Sequence, residues 1–316
     1  MRWLPLLLFF LFPRTLLSQS FSPDSARLMM DVRTLSADKM KGRRTGTSGN
    51  RMAQFYILQR FREAGLLPLQ GESYEYPFFF TGKSGEKIMG TNLLGRIKGR
   101  TDDIIVLSAH YDHLGTGAPV NGDSIYNGAD DNASGVAGLL ALAAWFKSHP
   151  PRHTLVFAAF DAEEAGLKGA QAFVQQFPQL IRQTRLNLNM DMISHNGKGE
   201  LYVCGTRAFP ALKPLLDGAG EDSGIRLLTG HDDPADPRND WTRQSDQGAF
   251  FDRHIPFLYF GVEDHSDYHR QSDSFDHIHL SFFFHAVEAI TRVAAKADAG
   301  LPDIKVPPRE KWISGR

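Results

Sequence analysis

The sequence predicts a single α/β domain, built as a mixed, mostly parallel central sheet with helices on its flanks. Three observations point to it. Apolar runs such as "DIIVLSA", "HTLVFAAF" and "IPFLYFG" are continuous rather than alternating, as strands buried on both faces are. Longer segments of helical character lie between them, the pattern of a parallel sheet with helical crossovers. The chain has 316 residues, 42 % of them hydrophobic, enough for one large core, and it shows no internal repeat or low-complexity tract.

Residues 1–20 read as a signal peptide. Arg2 precedes the apolar run "WLPLLLFFLF", and the small Ser18 and Ser20 follow at cleavage distance. The run is shorter than the roughly 20 residues a bilayer span needs. An uncleaved anchor is the alternative. The expected location is therefore secreted or periplasmic, with one folded domain over 21–300 and a weakly ordered tail over 301–316.

In "SPDSARLMMDVRTLS" the spacing predicts a helix with Ser22 as N-cap and Pro23 at its first position. "KGRRTGTSG" is turn-like, and its basic residues suit either a solvated loop or a structural clasp. A longer helix is expected over "SGNRMAQFYILQRFREAG", stopped by Gly65. "YEYPFFF" and "KIMGTNLLGRIKG" are strand-like and expected to run antiparallel at one side of the sheet. Strand "DIIVLSAHYD", helix "SGVAGLLALAAWFKS", strand "HTLVFAAFDAEE" and helix "GLKGAQAFVQQF" follow. Then come strands "RLNLNMDMIS" and "GELYVCG", a helix over "FPALKPLLDGAG", strand "IPFLYFG" and a closing helix "LSFFFHAVEAITRVAAKA". The polar loop "TGHDDPADPRNDWTRQ" is either inert surface or a substrate wall.

With 35 basic and 36 acidic side chains and a formal charge of −1, nothing favours nucleic acid or an anionic membrane as partner. Cys204 is the single cysteine, so no internal disulfide exists, and its apolar setting "LYVCG" reads as a small buried filler.

The chemistry concentrates in five segments: "SAHYDHLG", "NGADDNASG", "FDAEEAGLKG", "NLNMDMIS" and "DYHRQSDS". Each places a carboxylate or imidazole near the end of an apolar segment, where open α/β sheets bind ligands. Histidines mixed with carboxylates suit zinc. A zinc pair needs one bridging carboxylate plus an imidazole and a further carboxylate for each ion, and no cysteine cluster competes.

From "MKGRRTGTSGN" to "DYHRQSDSFDHI" the chain resembles the zinc aminopeptidases of peptidase family M28, especially secreted bacterial members. The resemblance implies the zinc-exopeptidase fold, two Zn²⁺ per chain, and peptide substrates with a free N-terminus. It implies His110 as imidazole on one zinc, with Asp112 orienting its ring. The bridging carboxylate would be Asp131 rather than the neighbouring Asp130, followed by a cis peptide bond. Glu164 and His269 would complete the second zinc, and Asp191 the first. Glu163 would be the general base, and Tyr268 occupies a place that some relatives use to polarise the substrate carbonyl.

Other histidines read differently. His265, His277, His279 and His285 are expected at the surface or in packing, while His113 suits pocket lining or structural use equally. Many relatives have Ser-Asp-His where this chain has Ser245, Asp246 and Gln247, so an altered pocket polarity is expected. Two rival functions remain: a glutaminyl cyclase, an acyltransferase working with one zinc, and a zinc-free binding module on the same fold.

Overall fold

The computed structural model describes residues 21–301. The expected signal peptide and all but the first residue of the expected tail lie outside them. Two helices open the described chain, α1 (Ser25–Leu35) and α2 (Ser48–Glu63). The start of α1 differs from the expectation: Asp24, not Ser22, is the N-cap, accepting from the Arg27 amide at 3.0 Å. Ser22 instead donates its hydroxyl to Glu288 at 3.1 Å, so a long-range partner takes it away from the helix end. Helix α2 stops as read. Gly65 takes a φ of +72°, and the amides of Gly65 and Leu66 bond back to Arg62 and Phe61.

The strands follow in order. First come β1 (Leu67–Pro68), β2 (Glu75–Thr81), β3 (Lys87–Ile97) and β4 (Ile104–His110), then the hairpin of β5 (Gly115–Val120) and β6 (Asp123–Tyr126). After α3 (Gly135–Ser148) come β7 (Thr154–Phe160), α4 (Lys168–Gln176), α5 (Pro178–Gln183) and β8 (Thr184–Met190). The chain continues through β9 (Glu200–Cys204), β10 (Arg226–Thr229), α6 (Gln247–Phe251), β11 (Phe257–Gly261) and α7 (Leu280–Ala299). The β5–β6 hairpin, β1 and β10 escape a reading based on apolar runs because they are short or exposed. "FPALKPLLDGAG" forms only 3₁₀ turns over Pro210–Leu215, since Pro214 has no amide proton and its ring crowds the preceding turn.

The main sheet runs β1-β3-β7-β4-β8-β11-β9-β10, with β2 also on β3. β7, β4, β8 and β11 are mutually parallel, while β2 and β3 are antiparallel at one side as expected. Side chains alternate between two cores. Ile105, Leu107 and Ala109 of β4 join the core under α1, α2, α3 and α7, and Ile104 and Val106 join the core beneath α4, α5 and α6. Cys204 is fully buried in the first core, with its thiol pushed upward in pKa by burial. Register then sets the site. His110 pairs with Phe160 and Met190 with Phe260, so the residues just beyond these four strands share one rim. Among the described residues no helix is long and apolar enough to cross a membrane.

Candidate metal centre

His110 is the last residue of β4, and its ring is almost completely buried. Its Nε2 lies 3.4 Å from Asp131 Oδ1 and 3.3 Å from Asp191 Oδ1. Its Nδ1 faces Asp112, 3.3 Å from the carbonyl oxygen and 3.7 Å from Oδ1. The other oxygen of Asp131 points elsewhere: Oδ2 is 3.1 Å from His269 Nε2, which is in turn 3.3 Å from Glu164 Oε2. Four rim segments and the turn before α3 thus deliver five donor groups to one place.

The donor spacing tests whether metal fits. Ligand atoms at zinc bond lengths of 2.0–2.1 Å in a tetrahedron lie about 3.3 Å apart. The imidazole–carboxylate separations of 3.1–3.4 Å match that edge on both sides of Asp131. The residues fit zinc: His110, Asp131 and Asp191 form one group able to hold an ion, and Asp131 with Glu164 meets the imidazoles of His113 and His269 in another.

The carrying segments are held by other carboxylates. Asp112 accepts the backbone amides of Glu163 and Glu164 at 3.0 and 3.3 Å, so it orients the glutamate turn as well as facing His110. Asp273 does the same for the amides of Asp130 and Asp131 at 2.8 and 3.0 Å. Asp130 turns away from the centre. Its Oδ1 accepts from the Ser194 amide and hydroxyl, and its Oδ2 faces His265 Nε2 at 3.1 Å. The peptide bond between Asp131 and Asn132 is cis. The Asn132 side chain accepts from Gly135 and Met192 and donates to Met190, joining this turn to the end of β8.

The two adjacent glutamates are driven in opposite directions. Burial raises Glu163 well above the carboxylate range; His110 opposes this, while Asp191, Asp246 and Glu164 add to it. Burial also raises Glu164, but hydrogen bonds from His113 and His269 outweigh it and hold its pKa far below the usual value. Tyr268 stacks on His269 at a ring separation of 4.0 Å. Its hydroxyl pKa is raised by burial and by the charges of Asp131, Asp191 and Glu164.

Several further groups support the centre. The basic stretch is a clasp: Arg43 is fully buried and donates to the carbonyls of Leu35, Tyr111, Asn127 and Gly128 at 2.6–2.9 Å. Asp161 is a buried hub that accepts from Thr45, Asn50 and the Thr91 amide, and burial pushes it up to about 7. Asp246 is fully buried near His110 and Asp191, and burial lifts it to about 8. Gln247 is buried too, bonded to Asn189 and to the carbonyl of Trp241. Trp241 pins the long polar loop, with its ring stacked on His231 at 3.6 Å and 5.8 Å from Tyr259. Tyr259 donates to the Asp191 carbonyl, so this loop packs one residue away from the centre.

A second imidazole group lies behind Asp130. His195 stacks on His265 at 3.8 Å with planes 15° apart, and on His279 at 4.8 Å. His195 Nε2 and His277 Nδ1 both reach Asp267 Oδ2 at 3.4 Å. His195, His265 and Asp267 bring possible ligand atoms close together, although the two rings lie nearly parallel. His285 faces Glu288 on α7 at 3.3 Å.

Comparison with known proteins follows the same line. The aminopeptidase from Aneurinibacillus sp. strain AM-1 superposes with a TM-score of 0.68 at 17 % identity, covering 92 % of this chain and 98 % of its own. A glutaminyl cyclase from Porphyromonas gingivalis gives 0.71 at 16 % identity, covering 87 % of this chain and 98 % of that one. The class is therefore the single-domain α/β fold that these enzymes share. The model of peptidase family M28 matches residues 92–294, and the chain belongs to that family. Aminopeptidase YwaD of Bacillus subtilis (strain 168) is 33 % identical over 127 residues, 39 % of this chain and 26 % of that protein. The alkaline phosphatase isozyme conversion protein of Escherichia coli (strain K12) is 28 % identical over 162 residues, 48 % of this chain and 46 % of the relative. The match spans less than half the length of either.

Proposed function

We propose that the protein is a secreted or periplasmic aminopeptidase with two zinc ions, removing N-terminal residues from peptides. The observation that carries this reading is the divergence of the Asp131 oxygens, one towards His110 and the other towards His269. A carboxylate so placed can bridge. His110 and Asp191 would hold one ion, and Glu164 and His269 the other. The ions would supply Lewis acidity at the scissile carbonyl and lower the pKa of bound water towards about 7. Glu163, raised in pKa and next to the ligand Glu164, takes the proton from the attacking water and returns it to the leaving amine. Asp112 keeps that glutamate aimed through its amide. Tyr268, stacked on His269, would offer its hydroxyl to the carbonyl oxygen of the substrate. Acidic side chains at the rim would hold the free α-amine.

The likeness to glutaminyl cyclases does not select that chemistry, because the same fold serves both. Metal titration, with activity on an aminoacyl anilide and on a peptide starting with glutamine, separates the readings. Two zinc equivalents with anilide hydrolysis are expected. One zinc with cyclisation of the glutaminyl peptide means the rival enzyme, and neither metal nor turnover means a binding module.

A further inference from the structure

His113 lies three residues beyond His110 and is as deeply buried, yet the ligand set just described leaves it without a role. Its Nδ1 is 2.8 Å from Glu164 Oε1 and 3.6 Å from Asp131 Oδ2. Its ring is tilted 58° from that of His269, with centroids 5.9 Å apart, so the two imidazoles grip Glu164 from different directions. His113 meets Oε1, and His269 meets Oε2. The backbone fits tightly around this ring. A Cβ on Gly128, which has a φ of +56°, would fall 2.6 Å from His113 Cδ2 and 2.1 Å from the Asp131 carbonyl oxygen.

Hydrogen-bond accounting decides what the ring does. Nε2 is buried and no protein group reaches it. A proton on Nε2 would be a buried N–H left without an acceptor, a costly and rare arrangement. With the proton on Nδ1, it is donated to Glu164 Oε1 at an ordinary hydrogen-bond length, and the orphaned atom is only a lone pair. Held in this way, Nδ1 is engaged with Glu164.

We propose that His113 is a positioning residue for Glu164. Its Nδ1–H anchors Oε1, so that Oε2 alone turns towards His269 and the ion those two residues would share. The inference rests on the two-metal reading. It goes beyond it by making His113 the support of one side of the centre only. Hydrogen bonds to ligating carboxylates are worth about 10–100-fold in metal affinity.

The test is stepwise Co²⁺ binding to the metal-stripped full chain, followed by visible absorption, for wild type, His113→Ala and His113→Asn. The Asn amide nitrogen can take the place of Nδ1 as donor. His113→Ala is expected to weaken one of the two cobalt sites about 10–100-fold and leave the other unchanged. His113→Asn should restore affinity with a wild-type spectrum, which rescue of folding alone would not require. Equal affinities for His113→Ala and wild type would overturn the proposal. So would a changed cobalt spectrum in His113→Asn at full occupancy, because that makes His113 itself a ligand. A wild type that binds one ion sinks the two-metal reading separately, and the role of His113 then stands or falls on whether His113→Ala weakens that one ion.

Discussion

Glu163 and Glu164 are chain neighbours whose surroundings push their pKa values apart, in keeping with the proposed division between base and ligand. Glu163→Gln is expected to keep both metals while kcat falls by about 10²–10⁴. Glu164→Gln should lose activity together with metal and regain part of it in excess zinc. Metal content and kcat measured at several zinc concentrations distinguish them. The opposite pattern would shift the assignment by one residue. Arg43 acts through structure rather than chemistry. Its guanidinium satisfies three carbonyls on the loops that flank His110 and Asp131 and a fourth at the end of α1, and burial lowers its pKa to about 10. Arg43→Met strands those carbonyls and should cost roughly 3 kcal/mol or more in denaturant unfolding. Arg43→Lys should restore little of it, because an ammonium cannot match the spread of the guanidinium fork. Near-wild-type stability in Arg43→Met would show that the clasp is redundant.

At the scale of elements, strands supply the rim and short turns aim the side chains. Ala162, Met192 and His269, each beside or within the donor set, adopt φ values of 56–60°. Left-handed backbone at non-glycine residues costs of the order of 1–3 kcal/mol and persists where surrounding bonds over-determine it. The turn before α3 shows such bonds: Asp273, from the segment after β11, caps the amides of Asp130 and Asp131. Asp273→Ala should therefore reduce metal affinity about 10–100-fold without removing a ligand. Isothermal titration of the stripped protein with zinc checks this, and unchanged affinity would mean the turn is set by Asn132 and Arg43 alone.

For the molecule as a whole, folding and metal binding are linked because the donors come from segments far apart in the chain. Burial lowers the His269 pKa, but hydrogen bonds to Asp131 and Glu164 outweigh it and lift the value to about 10. An imidazole raised above its ordinary 6.5 adds stability that is complete below that pH and lost as pH rises through about 10. Asp246, lifted by burial to about 8, acts in the same direction, since the fold holds its proton more tightly than the unfolded chain. After chelation, the melting temperature should therefore fall between pH 6.5 and 10. Zinc bound as proposed would take the proton's place on His269 and flatten that slope, adding about 2.7 kcal/mol at a free concentration of 100 Kd. Thermal scans across pH with and without zinc provide the check. A metal-free melting temperature that climbs over this window would contradict the linkage.

Continuous apolar runs identified the parallel strands β4, β7 and β11 from sequence, as burial on both faces favours that composition, whereas β8 alternates apolar residues with the buried Asn187 and Asn189. The residue types and their places at strand ends marked the five candidate segments, since metal chemistry restricts a ligand to few side chains, while the particular donors proposed within them came from the resemblance to family M28. Local signals misled where a distant partner competed, as when Ser22 bonded Glu288 and left the cap to Asp24. Only the tertiary structure decided which groups hold the donors in place. Asp273 lies 143 positions from Asp130, Arg43 lies 84 from Asn127, and His113 lies 51 from Glu164. Periodicity and capping act within a few residues, whereas these bonds exist because the sheet brings remote rims together, and no local pattern records which carbonyl or carboxylate will be waiting there.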